Sequence, residues 1–371
     1  MPCSHNTLKC SGYESLTTDV VHSIDKIQLC GTFFGNAEVK ENDVGLQSTE
    51  HAFWYPLVKS FLIAEAGEID GKNLFGGFYF VVILIKADTE YKINYLGIPG
   101  HWSSNFPCGD CKCEMSATPM RMNNFALDAP WKPTAFKTRL EWIAWCVLRG
   151  KTDFHPLFKP REDGGLGLHI SYAPFEALHC LCIGLCLHVH GVVLWHLCYT
   201  DVVKADATPS ERLAIVWQEI CEEYKARTSS SRLSSLYLSS FTDPEKPHSD
   251  YPLLKTKGAI SRHLLPVLKD IWCKHARPTV DYEQHISRCL INLTEVYACM
   301  NTKGPDGRLA LHLPTEVVDH MQTSIDKFLT HYGYLSSMAN DLNRKLFSIT
   351  PKFHYLWHIG RQARWINPRS P

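Results

Sequence analysis

Apolar and polar positions follow two regimes along this chain. From Ile27 to Phe34 and again from Phe75 to Ile85 (FGGFYFVVILI), short β-branched and aromatic runs bounded by glycine predict buried strands. The second run is the stronger, and it delivers Asp88 just past its end, where carboxylates of α/β sites often sit. Further on, apolar residues recur at three- and four-residue spacing, which predicts helices at about Ser261 to Lys274, Tyr282 to Met300 and Pro314 to Phe347. Thr208-Pro209-Ser210-Glu211 reads as a capping box with proline at the first helical position, opening a helix to about Ala226. A shorter helix is expected from Leu140 to Leu148, and the polar stretch from Thr228 to Pro252 predicts a loop holding a short helix at most. The first forty residues are weakly patterned, and no internal repeat is visible.

One segment changes this picture. Ala177 to Tyr199 (ALHCLCIGLCLHVHGVVLWHLCY) is almost continuously apolar and long enough to cross a bilayer, but His179, His188, His190 and His196 interrupt it. Imidazoles in hydrocarbon are costly without partners, so the segment is expected to be a buried helix, with no membrane partner.

The chain has 371 residues, 45% hydrophobic and 20% charged, which is ordinary globular usage and enough for two or three domains. Lys plus Arg (38) balances Asp plus Glu (38), so there is no global attraction to nucleic acid and any such surface must be a local patch. The 15 Cys and 19 His are many for this length. Met1 to Gly12 has no apolar core of the kind a signal peptide needs, so a reducing intracellular setting is expected, nuclear or cytoplasmic, where thiols stay free or bind metal.

Cys108 and Cys111 have the Cys-x-x-Cys spacing that lets one turn supply two adjacent tetrahedral ligands. His354 and His358 lie one helical turn apart and can face the same ion. A structural zinc held by these four is the reading, with Cys113 or His101 able to replace one histidine. Glu176 and His179 are a further pair, one turn apart, which can instead bond to each other. Cys180, Cys182 and Cys186 read as core packing. The tail from Lys352 carries Arg361, Arg364 and Arg369 with no acid, interleaved with Tyr355, Trp357 and Trp365; this suits phosphate neutralisation and base stacking, or equally a solvated face with its aromatics in the core.

Taken in order, Asp88, Gly100-His101, Cys108-Gly109-Asp110-Cys111, Glu176-Ala177-Leu178-His179 and Lys352-x-His354-x-x-x-His358 resemble the motifs of CACTA and Plavaka-like transposases. The resemblance covers roughly Gly76 to Pro371 and implies a DDE/D cut-and-paste transposase, truncated or degenerate, of the RNase H-like superfamily. Glu176 departs from the family's aspartate. The first catalytic aspartate has no match among Asp19, Asp25 and Asp43, and no acid follows Asp341, so Asp88 alone stands as a catalytic relic, or as a plain strand-end or capping aspartate. One carboxylate cannot hold the two Mg²⁺ ions this chemistry needs.

The fold class expected is therefore α/β plus α: an uncertain segment at 1–20, an incomplete RNase H-like core at 20–175, and a large α-helical region at 176–371 that returns to the core. The expected function is a transposase-derived DNA-binding fragment without strand transfer. The alternatives are an active Mg²⁺-dependent transposase or nuclease with unrecognised or partner-supplied acids, and a helical protein-interaction scaffold. A homo-oligomer is open under each.

Overall fold

The computed structural model describes residues 58–59, 62, 68–69, 72–73, 85, 89–94, 96–101, 103–116 and 119–369. The chain divides into two compact units, one of residues 1–84 and 151–169 and the other of residues 85–150 and 170–371. In the first, β1 (Glu68–Ile69) pairs antiparallel with β2 (Lys72–Asn73), and a turn-rich stretch buries Leu157, Phe158, Leu166 and Leu168.

The second unit is helical. Its elements are α1 (Thr89–Asn94), α2 (Arg139–Val147), α3 (Leu178–Tyr199), α4 (Pro209–Ala226), α5 (Gly258–His275), α6 (Asp281–Met300), α7 (Thr315–Asp341) and α8 (Pro351–Gln362). The expected α/β core is overturned. Among the described residues the only sheet is the two-residue ladder of β1 and β2, and the described part of 85–175 is short helices and turns. Local β propensity signals a buried, extended stretch, whereas a sheet needs partner strands at long range, and the described residues supply none. The Ile27 to Phe34 run and most of the Phe75 to Ile85 run, with Asp19, Asp25, Asp43 and Asp88, lie outside the described residues.

Local chemistry explains where the helices start and stop. Thr138 caps α2 and Thr208 caps α4, each accepting from the backbone N–H of the glutamate three residues on, whose carboxylate reaches back to the cap. The helix expected through Phe347 ends at Asp341 instead, because Asn343 and Phe347 take positive φ (53° and 47°) and turn the chain. The 228–252 loop holds only the single turn Leu238–Ser240.

α3 is the apolar helix of 22 residues, long and apolar enough to cross a membrane, with 72% of its most apolar window buried inside the protein. It begins in wide π-type turns (Leu178–Leu185) and continues as an ordinary α-helix. His190 and His196 are buried on it, and His196 Nε2 lies 3.0 Å from the Tyr282 hydroxyl. The core is built by α3 against α5 and α8, and by α6 packed extensively along α7. α8 lies against α7 at Gly360, where a Cβ would come within 2.5 Å of Gln322 Oε1 and 2.8 Å of Ile325 Cδ1.

Candidate metal centre

The turn from Pro107 to Cys113 forms a knuckle closed by backbone contacts. Phe136 N–H donates to the Asp110 carbonyl (3.0 Å), and Lys112 N–H donates to Thr134 Oγ1 (3.1 Å). Its sequence is fixed by crowding: a Cβ at Gly109 would sit 2.6 Å from the Pro99 carbonyl oxygen, and Gly100, at φ +124°, would drive one to 2.7 Å from Gly109 N. The Gly-His turn noted in the sequence therefore serves as packing for the knuckle.

α8 brings the histidines. Pro351 starts it, and the four-residue spacing of His354 and His358 puts both rings on one face. Cys108 Sγ lies 3.4 Å from His358 Nε2, Cys111 Sγ lies 3.2 Å from His354 Nε2, and the two Nε2 atoms are 3.1 Å apart. A tetrahedral ion with ordinary Zn–S and Zn–N bonds would set S···N edges near ~3.6 Å and N···N edges near ~3.3 Å. Cys113 joins the group: Cys108, Cys111, Cys113 and His354 are all buried, with ligand atoms within 4.8 Å of one another. This Cys₃His cluster, with His358 beside it, is compatible with a structural metal.

The surroundings are dry and oriented. Trp131 lies over His354 (centroids 4.2 Å apart) and meets Trp357 edge-on (4.9 Å). Phe175 stacks on Tyr355 (4.3 Å), whose hydroxyl donates to the Pro107 carbonyl (2.5 Å). Asp110 N–H donates to Cys108 Sγ (3.3 Å), a bond that steadies a thiolate. Gln362 Nε2 donates to Asp110 Oδ2 (2.7 Å), while Gln362 Oε1 accepts from Phe175 N–H (3.0 Å), so this amide ties the knuckle to the segment before α3.

Burial pushes the Cys108 and Cys111 thiols well up, and the Cys113 thiol rises through its hydrogen bond with Cys108 and then through burial. Burial pulls His354 down to about 3 and His358 well below the usual imidazole value. Both rings are thus neutral, the form that ligates, and a divalent cation is the charge that would stabilise thiolates in so dry a place. Burial also pushes Asp110 up to about 7 against the pull of Lys92, and pulls Lys92 down to about 8.

The other sequence candidates lie apart from this cluster. His101 Nδ1 lies 2.5 Å from Ser103 Oγ. Glu176 caps the start of α3, accepting from the backbone N–H groups of Leu178 (2.7 Å) and His179 (2.8 Å), and also bonds the His179 ring (2.7 Å). That is the local pairing which one-turn spacing on a helix allows. The Lys352 carbonyl accepts from Cys180 Sγ (3.1 Å). Arg361 lies over Trp357 (5.2 Å), Arg364 pairs with Asp319 at the surface (3.3 Å), and Arg369 is half-buried. Cys182 and Cys186 are core residues that both meet the Tyr297 hydroxyl (3.0 and 3.5 Å). Sequence reasoning assigned no role at the site to Trp131, Gln362 or Lys92; Trp131 stands with Trp142 and Trp145 in a basic segment, and nothing there hints that it covers His354. No family model matches the chain, no curated protein matches it, and no solved structure matches it.

Proposed function

We propose that this chain is a transposase-derived DNA-binding protein with a structural zinc ion at its cysteine knuckle, and that it performs no strand transfer. The observation that carries the reading is the meeting of two motifs, Cys108-x-x-Cys111 and His354-x-x-x-His358, across 243 residues in one buried cluster. These are two of the elements whose order resembles CACTA and Plavaka-like transposases.

Thiolate and imidazole donors favour Zn²⁺ over Mg²⁺ or Ca²⁺, which prefer oxygen. The four ligands in this reading are Cys108, Cys111, His354 and His358, with Cys113 as the adjoining thiol. The carboxylate within the knuckle, Asp110, is already committed to Gln362. A closed, dry site of this kind supports architecture, whereas phosphodiester chemistry needs open oxygen-ligated metal. Free thiolate ligands fit a reducing, intracellular setting, and a DNA partner fits the nucleus.

The DNA surface in this reading is the end of α8 and the turn after it. Arg364 and Trp365 are exposed there, next to Arg361. The Arg364–Asp319 pair is a surface ion pair that a phosphate can displace at small cost. Fluorescence anisotropy with duplex and single-stranded DNA tests this. Binding that weakens steeply between about 50 and 200 mM salt, with a shallower slope in Arg361→Ala/Arg364→Ala, is the expected result. Absence of binding at the low-salt end refutes it. A Mg²⁺-dependent nicking activity would refute the statement about strand transfer.

A second reading, a protein-interaction scaffold, has one observation in its favour. On α2 and just beyond it, Leu140, Val147 and Leu148 are 74%, 47% and 84% exposed. Salt-insensitive behaviour with DNA would move the balance to it.

A further inference from the structure

A second pair of imidazoles meets between α6 and α7. His285 on α6 and His331 on α7 face each other Nδ1 to Nδ1 at 3.1 Å, with ring planes at 81°. Two nitrogens bound to one late transition ion at ordinary bond lengths lie ~2.9 Å apart at a right angle and ~3.3 Å apart in a tetrahedron, so the observed edge falls inside that range.

On the far side of His285 lie one carboxylate and one aromatic ring. Its Nε2 lies 3.6 Å from Asp281 Oδ2, and the Tyr334 ring stacks on it at 4.2 Å with its hydroxyl 3.5 Å from the same carboxylate. At 3.6 Å the carboxylate is beyond hydrogen-bond reach of Nε2, but its charge on the outer side of the ring favours the tautomer with the proton there, whose Nδ1 lone pair faces His331. The His285 side chain is 14% exposed and Asp281 72%, so water reaches the pair and can complete the coordination.

We propose that His285 and His331 form a second metal site, which takes Zn²⁺ or a neighbouring late divalent ion through two protein nitrogens and water and so staples α6 to α7. Arg288 and Lys327 are the cations that act on the pair, against the single carboxylate of Asp281, which makes this the weaker of the two sites. It shares no residue with the cysteine cluster and stands or falls separately from it.

Equilibrium dialysis of the full chain against Zn²⁺ alone, followed by elemental analysis, tests the proposal. The expected result is that His285→Ala and His331→Ala each lose one zinc equivalent relative to the unaltered chain, with unchanged far-UV circular dichroism. Added Zn²⁺ should also raise the melting temperature of Cys108→Ser/Cys111→Ser, and this rise should vanish when His331→Ala is added. If both histidine variants hold as much zinc as the unaltered chain, the second site is overturned. Loss of zinc in the histidine variants but none in the cysteine variant would sustain this site and refute the zinc clip instead.

Discussion

Replacing both thiolates, Cys108→Ser/Cys111→Ser, separates a metal clip from a merely buried polar cluster. With free zinc about a thousandfold above the dissociation constant, the bound ion stabilises the native state by about 4 kcal/mol. Loop closure gives the same order: a cross-link spanning the 243 residues between Cys111 and His354 restricts the unfolded chain by about 5.5 kcal/mol. At about 2 °C per kcal/mol for a chain of this size, the variant should melt about 8 °C lower, as should the unaltered chain in chelator. The structure also says what loosens first. α8 buries Phe353, Leu356 and Ile359 completely, and at about 1.5–3 kcal/mol each these outweigh the ion. The knuckle has only a few hydrogen bonds, among them Phe136–Asp110, Tyr355–Pro107 and Gln362–Asp110. Hydrogen exchange should therefore lose protection at residues 107–113 before α8. Elemental analysis should find about one zinc fewer per chain than in the unaltered protein. A variant that keeps all its zinc, or chelation that leaves both melting and exchange unchanged, would refute the reasoning.

Three further outcomes follow from the same geometry. Cys113→Ser should keep the knuckle zinc while His358→Ala loses it, read by metal analysis; the reverse pattern would establish the Cys₃His set. Gly109→Ala should cost about 1–3 kcal/mol in urea denaturation, because the new methyl meets the Pro99 backbone oxygen, which cannot swing aside as a side chain would; a neutral result would contradict the close approach. Acid should weaken the helical unit even in chelator, because burial pulls His190 and His196 down to about 3. The folded values lie below the unfolded one near 6.5, so this stability is present above about pH 6.5 and is lost as pH falls towards 3; at pH 5 the loss is about 2 kcal/mol per histidine, and a flat urea midpoint between pH 7 and 5 would refute it.

Local sequence alone sets most of the helices and the two pairs of candidate metal ligands. Helical periodicity and capping are written within a few residues of each other, so α4 with its Thr208–Glu211 box, α5 and α6 were legible to within a few residues. Cys108-x-x-Cys111 and His354-x-x-x-His358 were legible for the same reason, since each pair is set by one turn of chain. The α/β core expectation showed the limit of that logic: a run such as FGGFYFVVILI, which lies mostly outside the described residues, has a β preference but cannot name the strand it would pair with. Only the tertiary structure decided which short motifs meet. It brought Cys113 into the knuckle, left His101 with Ser103, and bound Glu176 to its own helix start. It also set His285 against His331 from two different helices, a juxtaposition with no signature in either segment. Pairings of that range depend on how whole helices pack, through contacts such as Gly360 against Ile325, and not on the residues that finally touch.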